Sequence, residues 1–195
     1  YTGSSFKRLY QDTFDYLRKE WEQQDTCSLV PSYHSPDKKD YTSYRYPCPV
    51  DDSTVVAVKS GLKDINSLVT IVHGKEKRLS YIGSINSRLD YRNGKIYWTE
   101  IVPGLRWTHE NYSVLKCYDL KEGRIKSITP RQRYLSPSVD KNGKVAAVSR
   151  TTVDGKNQLV LVELEDGKEL FAFQVPGNAF IKELTFTDQD EVVAV

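Results

Sequence analysis

The chain of 195 residues has no methionine, three cysteines and three histidines. His34, His73 and His109 stand singly, with no HExxH and no other paired-ligand spacing, so the usual zinc ligand sets are missing. Cys27, Cys48 and Cys117 contain no CxxC. An odd, sparse set excludes a dense disulfide framework and a zinc knuckle, and leaves open whether Cys27 and Cys48 pair or stay thiols. No GxSxG elbow is present for a serine hydrolase. Charge of one sign is also lacking. With 28 basic and 26 acidic residues the net charge is +2, which provides no field for nucleic acid or an anionic membrane. No apolar run reaches the length of a membrane span, and no signal peptide is visible within these residues. The expectation is a chain with no metal, no cofactor, no nucleic-acid partner and no membrane span.

What the sequence has is aromatic and β-branched. Thirteen tyrosines, three tryptophans and six phenylalanines favour strands and large buried surfaces. Only residues 1–24 read as helix. Phe6, Leu9, Tyr10, Phe14, Leu17 and Trp21 recur at three- and four-residue intervals, with Ser4 or Ser5 as cap. Such a helix is marginal alone and needs something to dock on. Residues 25–40, with Pro31, Pro36 and several serines, read as a linker. From Tyr41 onward every signal is a short strand bounded by Gly, Asn or Asp turns.

These strands repeat. DDSTVVAV, YRNGKIYWT, DKNGKVAAVS and TDQDEVVAV align on Val55, Ile96, Val145 and Val192, which lie 41, 49 and 47 residues apart. Each of the first three is followed by an alternating strand (SLVTIV, YSVLKCYDL, QLVLVEL), a tight turn (HGKEK, KEGR, EDGK) and a last strand (RLSYIGSI, RIKSIT, ELFAFQV). Four strands per unit at this spacing predict β-propeller blades. The blades fall at about 41–85, 86–133 and 134–179, with an incomplete fourth at 180–195. Ser136-Pro137-Ser138 then begins an innermost strand, where proline's missing N–H is tolerated.

SPSVDKNGKVAAVS resembles the repeat of TolB-like (PD40, WD40-like) six-bladed propellers. The longer strings YRYPCPVDDSTVVAVKSGLKDINSLVTI and WTEIVPGLRWTHENYSVLKCYDL resemble Bacteroidetes-type cell-envelope proteins in which a peptidase-MA-like (gluzincin) domain precedes such a propeller. The resemblance implies a mainly β fold, a partial propeller of about three and a half blades with one N-terminal helix, and a periplasmic or envelope location. The peptidase's zinc ligands and catalytic glutamate have no counterpart in this sequence, so that activity does not carry over. Three and a half blades leave apolar faces open. A longer chain, or dimerisation through the open blade faces, would close them. The former is favoured because the break falls inside a blade.

Four constellations carry residue types capable of chemistry or binding. Ser136 or Ser138 would need a histidine, and the histidines lie in predicted loops or turns. The loop 101–113 gathers Arg106, Trp107, His109 and Tyr112 on a rigid scaffold, the residue types that dominate binding energy. Its architectural alternative has Trp107 packing over the blade edge while Arg106 pairs with Glu100 or Glu110. Asp51-Asp52, Asp140/Asn142 and Asp188/Asp190 recur at turns but fall short of the six oxygens of a calcium site, so turn chemistry explains them better. Arg124, Lys126, Arg131 and Arg133 read as a solvated edge that resists strand pairing, with an anion or acidic partner as the weaker alternative. The expected function is a non-catalytic propeller module that binds a protein or peptide, or gates an adjacent domain. The alternative is the accessory propeller of a peptidase whose metallopeptidase domain lies upstream or whose serine hydrolase domain lies downstream.

Overall fold

The computed structural model describes residues 5–24, 41–85, 87–104 and 111–195. The chain divides into two units, residues 1–33 and 34–195. The first holds helix α1 (Phe6–Gln24). Ser5 is its cap: its hydroxyl accepts from the Arg8 N–H at 3.3 Å and its carbonyl from the N–H groups of Arg8 and Leu9. The Tyr10 and Phe14 rings, one turn apart on the aromatic face, lie 4.8 Å apart.

The second unit is a succession of antiparallel sheets. The first consists of β1 (Thr42–Pro49), β2 (Thr54–Gly61), β3 (Ser67–Val72) and β4 (Lys75–Tyr81), paired in that order. The second has β5 (Ser84–Ile85) and β6 (Asp90–Arg92) both pairing with β7 (Lys95–Pro103), then β8 (Asn111–Asp119) and β9 (Arg124–Ser127). The third consists of β10 (Tyr134–Val139), β11 (Val145–Thr151), β12 (Asn157–Glu163) and β13 (Glu169–Gln174). A fourth begins with β14 (Leu184–Phe186) and β15 (Val192–Ala194). The four-stranded meander read from the repeat is the observed unit. One boundary differs: RLSYIGSI is not a single strand. Its first part ends the first sheet as β4, and Ser84–Ile85 already belongs to the second sheet, opposite Ile101 and Glu100.

Alternation along the second strand of each sheet builds the core. Val56 and Val58 face one way, into a cluster with Ile85, Leu89, Ile96 and Trp98 of the second sheet. Tyr97, between Ile96 and Trp98, faces the opposite way, into a cluster with Leu115, Val139, Ala146 and Leu164. Ala147 then turns to Ile181, Leu184 and Phe186. Both faces of each such strand are covered, which is why these strands read as continuous apolar runs and not as apolar-polar alternation. Gly167, in the turn between β12 and β13, sits at the second seam with φ +75. A Cβ there would lie 2.1 Å from the Ile128 carbonyl oxygen, so both the backbone shape and the close approach require glycine.

A polar feature recurs that the repeat alignment did not show. Tyr44 donates to Glu76, which pairs with Lys59 at 3.0 Å. Tyr134 donates to Glu169, which pairs with Arg150 at 2.5 Å. In the second sheet Trp98 Nε1 donates to Glu100 at 3.3 Å and Lys116 pairs with the same carboxylate at 2.5 Å. Each of the first three sheets thus ties an aromatic donor and a cation to one glutamate, satisfying charges that are partly out of water.

Candidate functional site: the cleft between the inner strands

The inner segments of all four sheets converge on a cleft of about 790 Å³, lined by residues 46–50, 87–92, 136–138 and 182–185. Each fully described inner strand is broken where it meets this cleft. β1 shifts register between Arg45 and Cys48, and β10 between Leu135 and Ser138. At both places a residue before proline adopts positive φ, Tyr46 at 54° and Ser136 at 49°. That conformation is strained for a residue with a Cβ, and it re-aims the following side chain. In the second sheet the corresponding break separates β5 from β6.

Side chains from one sheet close the backbone of the next across the cleft wall. Asp90 Oδ2 accepts from the Val139 N–H at 2.5 Å, and Arg92 Nε donates to the Val139 carbonyl at 3.2 Å. Ser138 Oγ accepts from the Phe186 N–H at 3.0 Å, and the Ser136 hydroxyl donates to the Lys182 carbonyl at 2.5 Å. Arg88 pairs with Glu183 at 2.7 Å. Burial raises the Asp90 carboxyl above its ordinary range, although the Val139 N–H, Arg92, the Tyr91 N–H and the Ser138 hydroxyl all act to lower it. Cys48 lines the same wall as a buried free thiol. Burial, reinforced by the Asp90 charge and opposed by Arg92, pushes it up to about 11, far from thiolate at neutral pH. The hydroxyls of Ser136 and Ser138 are engaged with backbone groups of the fourth unit, and among the described residues neither is paired with a histidine. His73 lies after β3, in the turn to β4.

The loop residues Arg106, Trp107 and His109 lie outside the described residues. Tyr112 is half-buried on β8, opposite Val102, and the strands stay paired up to Pro103 and Asn111. Glu100, the suggested partner of Arg106, is buried and pairs with Lys116. The acidic turns are turns. Asp140 Oδ1 accepts from the N–H groups of Lys144 at 2.7 Å and Val145 at 2.9 Å, and Asp51 Oδ1 from those of Ser53 and Thr54, both at 2.8 Å. Burial pulls the Asp140 carboxyl up, but its backbone donors more than offset this and hold it below the ordinary range. Asp190 pairs with Lys141 at 2.7 Å. Among the described residues no three His, Cys, Asp or Glu side chains cluster as metal ligands. None of the described helices is long and apolar enough to cross a membrane.

The cleft itself was missed by sequence reasoning. The repeat located the inner strands, but nothing in it showed that Asp90, Arg92 and Ser138 meet across the seam. The available signal was the Pro after Tyr46 and after Ser136 at matching places in two repeats.

Against solved structures, the chain aligns with TolB from Acinetobacter baumannii over 75% of its length and 36% of that chain, at 12% identity and a TM-score of 0.58. It also aligns with the β-propeller domain of the Trilobed protease from Pyrococcus furiosus (70% of this chain, 43% of that one, 13% identity, TM-score 0.48). A third alignment is with the tricorn protease (73% and 22%, 9% identity, TM-score 0.46). The fold is that of a β-propeller. The chain spans about a third of the TolB chain it matches. No protein-family profile and no curated protein matches the sequence.

Proposed function

We propose that this chain is a non-catalytic β-propeller module whose central cleft takes up an extended segment of a protein, from a separate partner or from an adjacent domain of the same polypeptide. One observation carries the reading: the inner segments of four successive sheets form a single cleft whose walls are fixed by side-chain-to-backbone bonds between neighbours. Its volume falls within the range of about 300–1,000 Å³ usual for binding sites. Its lining mixes apolar residues such as Pro49 and Leu89 with Arg88, Arg92, Lys182 and Glu183, a set that suits a polypeptide with both apolar and charged groups. The loop residues Arg106, Trp107, His109 and Tyr112 are a second contact in this reading. The envelope location implied by the resemblance to TolB-like proteins goes with it.

Photo-crosslinking in the native host tests the proposal. A benzoylphenylalanine in place of Tyr46, in the cleft, is compared with one in place of Lys75, on an outer strand. We expect one defined adduct from the cleft position alone, weakened by Arg92→Glu and by the pair Arg106→Ala with Trp107→Ala. An adduct within the same polypeptide identifies gating of an adjacent domain; an adduct with another protein identifies a partner. Identical adducts from both positions, or none from the cleft, would refute the reading.

A further inference from the structure

A second cavity, of about 300 Å³, lies in the seam between the second and third sheets, away from the cleft. Its lining has two characters. The floor is apolar: Ile128, Leu164, Cys117 and the ring of Tyr97 belong to the buried cluster of that seam. The rim is cationic, with Lys95 and Lys126 from the second sheet and Lys144 from the third. Lys95 Nζ stands 3.8 Å from the Asp119 carboxylate, and Lys126 Nζ donates to the Glu165 carbonyl at 3.2 Å. Lys144 has no side-chain partner among the described residues. Of the lining side chains only Glu165 is acidic, against three lysines; behind the lining, Asp119 stands beside Lys95, and Asp119, Asp140 and Asp90 all act on the Tyr97 phenol.

Tyr97 points to a ligand independently. It is only 3% exposed, and its hydroxyl makes no hydrogen bond among the described residues. No sealed side-chain polar atom there lacks a partner, so the hydroxyl is the part of Tyr97 that opens into the cavity. A phenol held this way, on an apolar floor beneath three ammonium groups, offers a hydrogen-bond donor to a group that enters the cavity.

We propose that this seam is a binding site for a small organic carboxylate, free or at a chain terminus. The carboxylate accepts from the Tyr97 hydroxyl and the rim lysines, and its apolar body rests on Ile128 and Leu164. An inorganic anion would meet the lysines but leave the apolar floor uncovered, and a neutral ring would do the reverse. The ligand bridges Lys126 and Lys144, so it adds a link between two sheets already joined by packing and by the bonds of Asp90 and Arg92 to Val139 and of Lys126 to Glu165.

The test is a titration of the isotope-labelled chain with sodium benzoate, followed by amide shifts at constant ionic strength. We expect saturable shifts at Tyr97, Cys117 and Gly143, and no comparable shifts with benzamide or with inorganic phosphate. Lys126→Ala combined with Lys144→Ala lowers the affinity about tenfold, and Tyr97→Phe about fivefold. N-acetylphenylalaninate distinguishes the sources: tighter binding than benzoate assigns the site to a polypeptide C-terminus, weaker binding to a free acid. Benzoate that moves none of these amides, or that binds the double-lysine variant and Tyr97→Phe as well as the parent, overturns the proposal. The amide dispersion of each variant reports whether it has folded.

Discussion

Each of the first three sheets has an inner edge on the cleft and an outer edge away from it, and the two are closed by different chemistry. On the inner side, the main-chain groups of Val139 and Phe186 are taken by Asp90, Arg92 and Ser138 of the preceding sheet. On the outer side, among the described residues, the comparable bond is the one from Lys126 of β9 to the Glu165 carbonyl of the next sheet, at 3.2 Å. β4 carries Lys75, Lys77 and Arg78, and β9 carries Arg124 and Lys126, all exposed or half-exposed. Directed bonds fix one sheet against the next, whereas charges only discourage a foreign strand from pairing. The inner edge is therefore where geometry is specified. Binding that depends on shape belongs there, and tolerance to substitution belongs outside.

Breaking the inner closure should cost the most. Asp90→Ala leaves the Val139 N–H without its acceptor in a part-buried seam, and Arg92 loses its neighbouring charge. We expect a loss of about 2 kcal/mol in denaturant unfolding. Asp90→Asn keeps an oxygen for the N–H and removes a charge that burial disfavours, so its loss is smaller. The two forms also separate with pH. The folded chain holds a proton on Asp90 more tightly than the unfolded chain does. Its contribution is thus fully present below the ordinary aspartate value, about 4, and is lost as pH rises through the folded value. The parent should gain on Asp90→Asn as pH falls from neutral toward 4. A difference that does not change with pH would mean that the carboxyl titrates normally.

Ser138→Ala is the milder test of the same edge. It removes one neutral acceptor from the Phe186 N–H, which is buried, and should cost about 1 kcal/mol. If the bonds specify the cleft, the amide shifts that follow this change will extend along β14 and into residues 182–185. If they stop at Phe186, packing of Leu184 and Ile181 alone holds the fourth unit in place.

The outer strands and the repeat were legible from the sequence because they rest on local signals. Spacing, β-branched runs and turn glycines are written within one sheet. Gly143 and Gly167 adopt the positive φ that their turns require, and Asp140 closes its turn as turn chemistry demands. The cleft and the seam cavity were not legible, because they are made by residues 40–50 positions apart whose side chains meet only after sheets stack. Asp90 reaches Val139, and Ser136 reaches Lys182. Tyr97 reads as one more aromatic in an apolar run. That its hydroxyl opens into a cavity depends on where Lys126 and Lys144 arrive from two different sheets. The loop containing Trp107 drew attention because its residue types are conspicuous, whereas Asp90 and Ser138 sit in strands whose pattern was already explained by packing.

The outer edges offer the smallest effect on stability and the sharpest contrast among themselves. Unlike β4 and β9, β13 has no cation, and its Leu170, Phe171 and Phe173 are about half exposed. Phe171 and Phe173 stand opposite Leu161 and Leu159, so they extend the apolar face of the third sheet out to its free edge. Charge guards two of the three outer edges, so the third should be the one through which copies of the chain associate. Phe171→Lys together with Phe173→Lys should change unfolding free energy by less than about 1 kcal/mol, as partly exposed sites do. The same pair should abolish the concentration-dependent association expected of the parent in sedimentation velocity. Removing the guard from β9 with Arg124→Leu and Lys126→Leu should do the opposite and add association where there was none. If the β13 variant associates as strongly as the parent, the attraction lies on another face, and the cationic strands are solvated for reasons other than protection.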